Sequence, residues 1–360
     1  MRYRATRVEI DLTAIRDNVR AIKPKDSQLM AVVKANAYGH GDIEVSRAAL
    51  EAGASWLGVA LVEEGIRLRD AGITAPVLML SEFPAGSESD ALAADLTPTV
   101  YSLEGLDRLR SVASAGQAVH VKVDTGMHRV GVWPPGELTA FVKAVQDSGL
   151  VVDGIWTHFA SADSDDAVTL GQLREFLVQL KSCMGAGVRP RVVHAANSAA
   201  LLRHDETHLD IVRPGIAVLG LTPGVEGPYR PALSWHSEVT FSRRLSAGES
   251  LSYGQTYTLD RESTVATVPV GYADGFSRRL SSQASVLIRG QRFPVAGNVT
   301  MDQVMVDCGD VDVRPGEEVV LLGSQGEERI TAEELAALNG TINYEIVCAI
   351  GERVPREYVG

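Results

Sequence analysis

The chain of 360 residues reads as an α/β protein in two parts, with alternating strands and helices over residues 1–230 and a predominantly β region over 231–360. Three observations predict this. Eight short, apolar, β-branched runs occur in the first part: Leu29–Val33, Trp56–Ala60, Val77–Leu80, Thr97–Val100, Val119–Val123, Gly154–Thr157, Arg191–His194 and Asp210–Val212. Stretches of helical period separate them. Near Pro228–Pro231 the pattern changes to strand-like runs that follow one another across Gly and Pro turns. Eight strands alternating with helices suggest a (β/α)8 barrel, and a doubly wound sheet is the competing arrangement; periodicity alone does not separate them.

The helical stretches carry one apolar face each. Leu12, Ile15, Val19 and Ile22 share a face, with Asp11 placed to cap the N-terminus. Phe176, Leu177 and Leu180 behave similarly. In the second part the expected strands are Ser237–Leu245, Thr264–Pro269, Ser285–Ile288, Gln303–Asp307 and Glu318–Leu322. One helix stands among them: Thr331 and Glu334 form a capping box, Leu335 and Leu338 make the apolar face, and Asn339-Gly340 ends it.

Composition narrows the class. With 45% hydrophobic and 22% charged residues the chain can bury full cores. A net charge of −12 repels a phosphate backbone, so nucleic acid is a poor partner. Cys183, Cys308 and Cys348 lack metal-like spacing and read as reduced, cytosolic thiols, so no metal is expected. The start at Met1-Arg2-Tyr3-Arg4 is followed by Arg7, Glu9 and Asp11 rather than an apolar segment, which argues against a signal peptide. No run approaches the ~18 apolar residues of a membrane span.

The sharpest local signal is Val32-Val33-Lys34-Ala35-Asn36-Ala37-Tyr38-Gly39-His40-Gly41. A lysine directly after a buried strand is unusual, because a buried ammonium is costly unless paired or neutralised. In a parallel barrel the strand's C-terminal end is where catalytic groups sit. A desolvated amine there is suited to bonding an aldehyde. Taken alone, Lys34 is more readily read as a snorkelling side chain at a strand end.

The whole string resembles the cofactor-lysine signature of the alanine racemases, a family of barrel-type pyridoxal-phosphate enzymes. Val121-Lys122-Val123-Asp124-Thr125-Gly126-Met127-His128-Arg129-Val130-Gly131 resembles the family's second signature. Further strings follow in the family's order: Thr157-His158-Phe159-Ala160, Ala196-Asn197-Ser198, Val212-Arg213-Pro214-Gly215-Ile216, Ser252-Tyr253-Gly254, Gly271-Tyr272-Ala273-Asp274-Gly275, Met301-Asp302-Gln303 and Val354-Pro355-Arg356. They span almost the whole chain.

The resemblance implies a TIM-type barrel that binds pyridoxal 5'-phosphate through residues 1–230, followed by a β-rich domain. It implies that Lys34 carries the cofactor and serves as one catalytic base, with Tyr253 as the other. Racemisation removes a proton from one face of a planar carbon and returns one to the other, so two opposed bases avoid a swing across the ring. A phenol ordinarily keeps its proton to about pH 10, and His158 matches a family residue that assists the tyrosine. Arg213 matches the contact to the pyridine nitrogen, where an arginine, unlike a carboxylate, leaves the ring nitrogen unprotonated and the ring a weaker electron sink. Tyr38, Asn197, Ser198, Gly215 and Ile216 match the phosphate lining. Arg129, Met301 and Tyr272 match groups at the substrate carboxylate and the entrance, and Lys122 matches a lysine that is carbamylated in many relatives.

The resemblance further implies a head-to-tail homodimer with shared active sites, in the cytoplasm, making D-alanine for peptidoglycan. Two departures stand out. Glu352 occupies a position where relatives often carry a tyrosine that reaches the phosphate, and Thr300 replaces a cysteine before Met301. The rival readings are a racemase for serine or of broad range, a barrel-type decarboxylase, and a non-catalytic carrier. A decarboxylase would use an acidic group at the ring nitrogen, and a carrier would lack the second domain. Side-chain choice among racemases turns on pocket volume, where one methylene changes discrimination by only ~1–3 kcal/mol.

Overall fold

A computed structural model describes residues 4–360 apart from Pro223 and Glu226; Met1, Arg2 and Tyr3, on which the reading of the N-terminus partly rests, lie outside the described residues. The chain forms two compact units. One comprises Thr13–Ala37 and Gly41–Arg230, the other the residues up to Leu12, Tyr38–His40 and Pro231–Gly360.

The first unit is the (β/α)8 barrel. Its sheet is parallel and runs in the order Leu96–Thr97, Val77–Met79, Trp56–Val59, Gln28–Val32, Ile211–Val212, Val192–His194, Val151–Trp156, Ala118–Lys122, Thr99–Val100. The two end segments are one barrel strand interrupted at Pro98, which cannot donate to a ladder. Leu96 and Thr97 pair with Val77 and Leu78 on one side, and Thr99 and Val100 with His120 and Val121 on the other, so this strand closes the ring. The Thr99 hydroxyl donates to Met79 O at 2.6 Å, and Pro98 O accepts from His120 N at 2.8 Å, which bridges the interruption. All eight runs read from the sequence are barrel strands, and the doubly wound alternative is excluded. The strands are buried nearly throughout, as expected of a sheet covered on both faces.

Helices turn one face to these strands. Ile15, Val19 and Ile22 of Leu12–Ile22 are buried; Asp11, expected as its cap, is the last residue of a strand. In Asp166–Gly185, Phe176 and Leu180 are buried but Leu177 is exposed, against expectation, because it lies one residue round from the buried stripe.

The second unit is sheet-rich. Its seven-stranded sheet runs Gln291–Pro294, Ser285–Ile288, Glu318–Gln325, Leu233–Glu238, Arg7–Asp11, Arg356–Val359, with Glu328–Ile330 paired beside Glu318–Gln325. Arg7–Asp11 is therefore a central strand, antiparallel to Leu233–Glu238 and parallel to Arg356–Val359. Its alternation is plain: Val8 and Ile10 are fully buried between charged neighbours. Ser237–Leu245 is not one strand, as the sequence suggests. The chain breaks at Val239-Thr240, and Phe241–Leu245 joins Ser263–Val268 and Val304–Asp307 in a separate sheet. The helix Ala332–Asn339 starts on Thr331, whose hydroxyl accepts from Glu334 N, and ends at left-handed Gly340. Glu334 does not complete the box; its carboxylate binds Arg292.

No helix among the described residues is long and apolar enough to cross a membrane. Among the described residues no cluster of three His, Cys, Asp or Glu side chains could hold a metal ion.

Candidate active site

The candidate groups of the barrel stand where its strands end. Lys34 follows Gln28–Val32, Lys122 ends Ala118–Lys122, His158 follows Val151–Trp156, Asn197 and Ser198 follow Val192–His194, and Arg213 follows Ile211–Val212. All share one mouth because all the strands are parallel.

Lys34 is half-buried, and the chain beyond it winds the wrong way. Ala35, Asn36, Ala37 and Tyr38 hold φ of 53°, 53°, 49° and 52°, a left-handed turn of four non-glycine residues. Each costs about 1–2 kcal/mol, so the surroundings must hold it. Glu64 does part of this: it accepts from Ala35 N at 2.7 Å and from Ala60 N and Leu61 N at 2.8 and 3.1 Å. The chain thus leaves the strand sharply at Ala35, ahead of Gly39 and Gly41.

Arg213 is 3% exposed. It donates to His194 Nδ1 at 3.0 Å, Thr157 O at 2.8 Å, Ala195 O at 3.0 Å and His158 Nδ1 at 3.3 Å. Its guanidinium and the Lys122 ammonium each lie 4.7 Å from the Trp156 ring centroid. Among the described residues no carboxylate pairs with Arg213. Burial, then the charges of Arg129 and Arg213, pull Lys122 down to about 7. Burial and the Arg213 charge hold His158 well below the ordinary histidine range, so it is neutral. Arg213 can only donate, so His158 Nδ1 must accept, and the histidine carries its proton on Nε2.

Arg129 is exposed at the end of a loop that Asp124 organises. Asp124 Oδ1 accepts from Gly126, Met127 and His128 amides at 2.9–3.0 Å, and Oδ2 accepts from Arg129 N at 3.0 Å. These four bonds hold the Asp124 carboxyl below its usual range against the opposing effect of burial. Asn197 caps Ser198–Arg203 by accepting from Ala200 N. The Ser198 hydroxyl accepts from Gly215 N at 3.0 Å and Ala217 N at 3.3 Å, which draws the Gly215-Ile216 turn beside it.

The other candidates belong to the sheet-rich unit. Tyr38 packs edge-on against Tyr344 at 6.0 Å. Tyr253 is 74% exposed. Its turn is pinned by Ser252 Oγ donating to Asn298 O and Asn298 Nδ2 donating to Tyr253 O, both at 2.7 Å. Met301 and Tyr272, also exposed, are brought together: Tyr272 N donates to Thr300 O and Ala273 N to Met301 O. A Cβ on Gly271 would collide with both carbonyls, so the contact requires glycine. Thr300 has a structural use. Its hydroxyl donates to Gln303 O at 2.7 Å and accepts from Gln303 N at 3.2 Å, closing the turn that presents Met301. Glu352 is exposed.

The sequence reading assigned no role to Asp124, Glu64, His120 or His194. The signal for Asp124 in the sequence is its position before a Gly-containing turn. A histidine within an apolar barrel strand was the signal for the other pair.

Comparison with known proteins gives the family. The alanine racemase N-terminal domain matches residues 10–223 and the C-terminal domain residues 232–358. An alanine racemase of Symbiobacterium thermophilum is 50% identical, over 99% of this chain and 98% of that one. One from Halothermothrix orenii is 42% identical, over 99% and 97%. The crystal structure of alanine racemase from Bacillus anthracis with bound L-Ala-P superposes with a TM-score of 0.94 at 42% identity, covering 100% of this chain and 96% of that one. With both domains matched end to end, the chain belongs to the alanine racemase family.

Proposed function

We propose that this chain interconverts L- and D-alanine with pyridoxal 5'-phosphate held at the barrel mouth, by a two-base mechanism. The observation that carries the reading is a cluster of cations at the mouth: buried Arg213, without a carboxylate partner among the described residues, and buried Lys122, with half-buried Lys34 and exposed Arg129 near them. Such a cluster suits an anionic ligand, and phosphate, phenolate and substrate carboxylate together supply the missing charge. Lys34 offers the amine that would hold the cofactor's aldehyde carbon. Arg213 would donate to the ring nitrogen, and Ser198, Asn197, the Gly215-Ile216 turn and Tyr38 would line the phosphate. Bound there, the cofactor supplies a conjugated ring that acidifies the substrate's α-hydrogen.

The chain's own groups do the rest. Lys34, as a free amine, would take or return the α-proton on one face. The partner subunit's Tyr253 acts on the other. The exposure of Tyr253, Met301 and Tyr272 supports a head-to-tail dimer in which another copy covers them. His158, neutral with its proton on Nε2, would donate to the phenol oxygen when that oxygen is deprotonated, which favours the phenolate. Arg129, on its Asp124-braced loop, would meet the substrate carboxylate, with the Met301 amide as a second donor and Tyr272 narrowing the entrance. A cationic Lys122 would repel Arg129; its depressed value leaves much of the amine neutral and able to add CO2, and the carbamate would hold Arg129 instead. This reading also carries the family's cytoplasmic role in supplying D-alanine for peptidoglycan.

The test is incubation with L-alanine in D2O, followed by chiral separation and mass analysis. D-Alanine deuterated at the α-carbon, absent with Lys34→Ala and Tyr253→Phe, supports the two-base assignment. Exchange without inversion removes Tyr253 from it, and no exchange with alanine but exchange with serine reassigns the substrate.

A further inference from the structure

Beneath Arg213 a row of side chains runs down through the barrel. Arg213 donates NH1 to His194 Nδ1 at 3.0 Å. His194 Nε2 lies 2.9 Å from His120 Nδ1. His120 Nε2 faces Asp153 Oδ2 at 3.7 Å, beyond hydrogen-bond length but at ion-pair distance, and makes no hydrogen bond. Asp153 is held in turn by Arg191, whose Nε and NH2 donate to its two oxygens at 2.8 and 2.6 Å. Both histidines are fully buried. His194 stacks on Trp156 at 5.5 Å and 10°, so its ring is not free to turn. Gly154 sits against His120, where a Cβ would lie 2.5 Å from Nδ1.

The direction of this row is favoured from both of its ends. A guanidinium has no lone pair to offer, so His194 Nδ1 must be the acceptor. Neutral His194 then carries its proton on Nε2 and donates to His120 Nδ1. Neutral His120 in its turn carries its proton on Nε2, which faces the Asp153 carboxylate. Reversing either ring would set two donors, or two lone pairs, against each other. The negative charge at the lower end and the positive charge at the upper end therefore favour the same pair of tautomers.

We infer that Asp153 is a positioning residue for Arg213, acting through His120 and His194 by selecting the tautomers that leave His194 Nδ1 open to the guanidinium. Its consequence for catalysis rests on the reading of Arg213 as the group at the cofactor's ring nitrogen. The tautomers themselves do not depend on that reading. Asp153 touches neither substrate nor cofactor in this scheme. The row fixes how strongly, and at what angle, Arg213 presents its donors at the mouth.

The experiment is two-bond 1H–15N NMR on the full-length holoenzyme labelled with 15N-histidine, comparing wild type with Asp153→Asn. The asparagine keeps the size of the side chain but can either donate or accept, so it removes the bias without opening a cavity. In wild type, His120 and His194 should both show the Nε2–H pattern. In Asp153→Asn, His120 should show some Nδ1–H tautomer beside the Nε2–H one, and kcat should fall about tenfold, as when a group that orients a functional side chain is lost, with KM for alanine within about twofold. An Nδ1–H pattern at His194 in wild type overturns the inference with no need of a variant. So does Asp153→Asn with unchanged tautomers, whatever its activity. A tautomer change at unaltered kcat keeps the structural selection but overturns the role of Asp153 in positioning Arg213 for the reaction, and so separates this inference from the assignment of the cofactor site.

Discussion

Lowering the pH from neutrality should destabilise the barrel through His120 and His194, which are both 0% exposed. Burial holds each below the ordinary histidine range, and the Arg213 charge adds to this at both. In the unfolded chain the same side chains titrate near 6.5. Below that value the unfolded state binds protons that the folded state does not. Stability is therefore complete above about pH 6.5 and is lost as the pH falls towards the folded-state values. Each histidine contributes a slope of at most about 1.4 kcal/mol per pH unit, and two give at most about 2.7 kcal/mol per unit. His158 and His236, also held low by burial, add to that slope. Asp124 and Asp153, held below the usual carboxylate range, act in a more acidic window and do not mask it. Urea unfolding of the holoenzyme at a series of pH values, followed by tryptophan fluorescence, reads the slope, since Trp56 and Trp156 lie against these histidines. A slope under about 1.4 kcal/mol per unit between roughly pH 6.5 and 5.5 would refute the reasoning. An unchanged slope in His120→Asn would do the same for the part assigned to His120.

Three further outcomes follow from single contacts. Gly154→Ala should cost about 1–3 kcal/mol through overpacking against His120, lowering Tm; an unchanged Tm would mean the ring moves freely. Asp124→Ala removes the acceptor of four backbone amides, so KM for alanine should rise about tenfold or more as Arg129 loses its support, while a KM within twofold of wild type would detach Arg129 from the loop's order. Lys122, drawn down to about 7, should give a carbamate carbon signal when the enzyme is placed in 13C-bicarbonate at mildly alkaline pH, lost in Lys122→Arg; the same spectrum from both proteins rules the modification out.

The barrel was legible because its strands are buried on both faces and so stand out as apolar runs between turn residues. Its closure was not, since Pro98 cuts one strand into two pieces whose partners are distant in sequence. Arg7–Asp11 carries a period-two signal in Val8 and Ile10, but five residues with three charges are too short and polar to stand out as a buried strand. The break at Val239-Thr240 has no local cue, because both halves have strand character and only tertiary pairing divides them. At the site, Lys34, Arg213 and their neighbours were found through strings of residues. The residues that hold them were harder to see. Glu64 and Asp124 work by accepting backbone protons, and His120 by a contact across two strands, neither of which leaves a spacing in the sequence.

The place of Arg7–Asp11 in the sheet bears on how the chain comes off the ribosome. This strand emerges before the barrel, but its two neighbours, Leu233–Glu238 and Arg356–Val359, are made more than two hundred residues later. Everything from Thr13 to Arg230 except Tyr38–His40 can collapse into the barrel in the interval. Val8 and Ile10 meanwhile wait as an unpaired, aggregation-prone edge. The last strand also brings Arg356, which donates to Gly39 O at 3.1 Å in the segment that follows Lys34. A nascent chain stalled short of Arg356 would thus hold a finished barrel whose lysine loop still lacks its final tether.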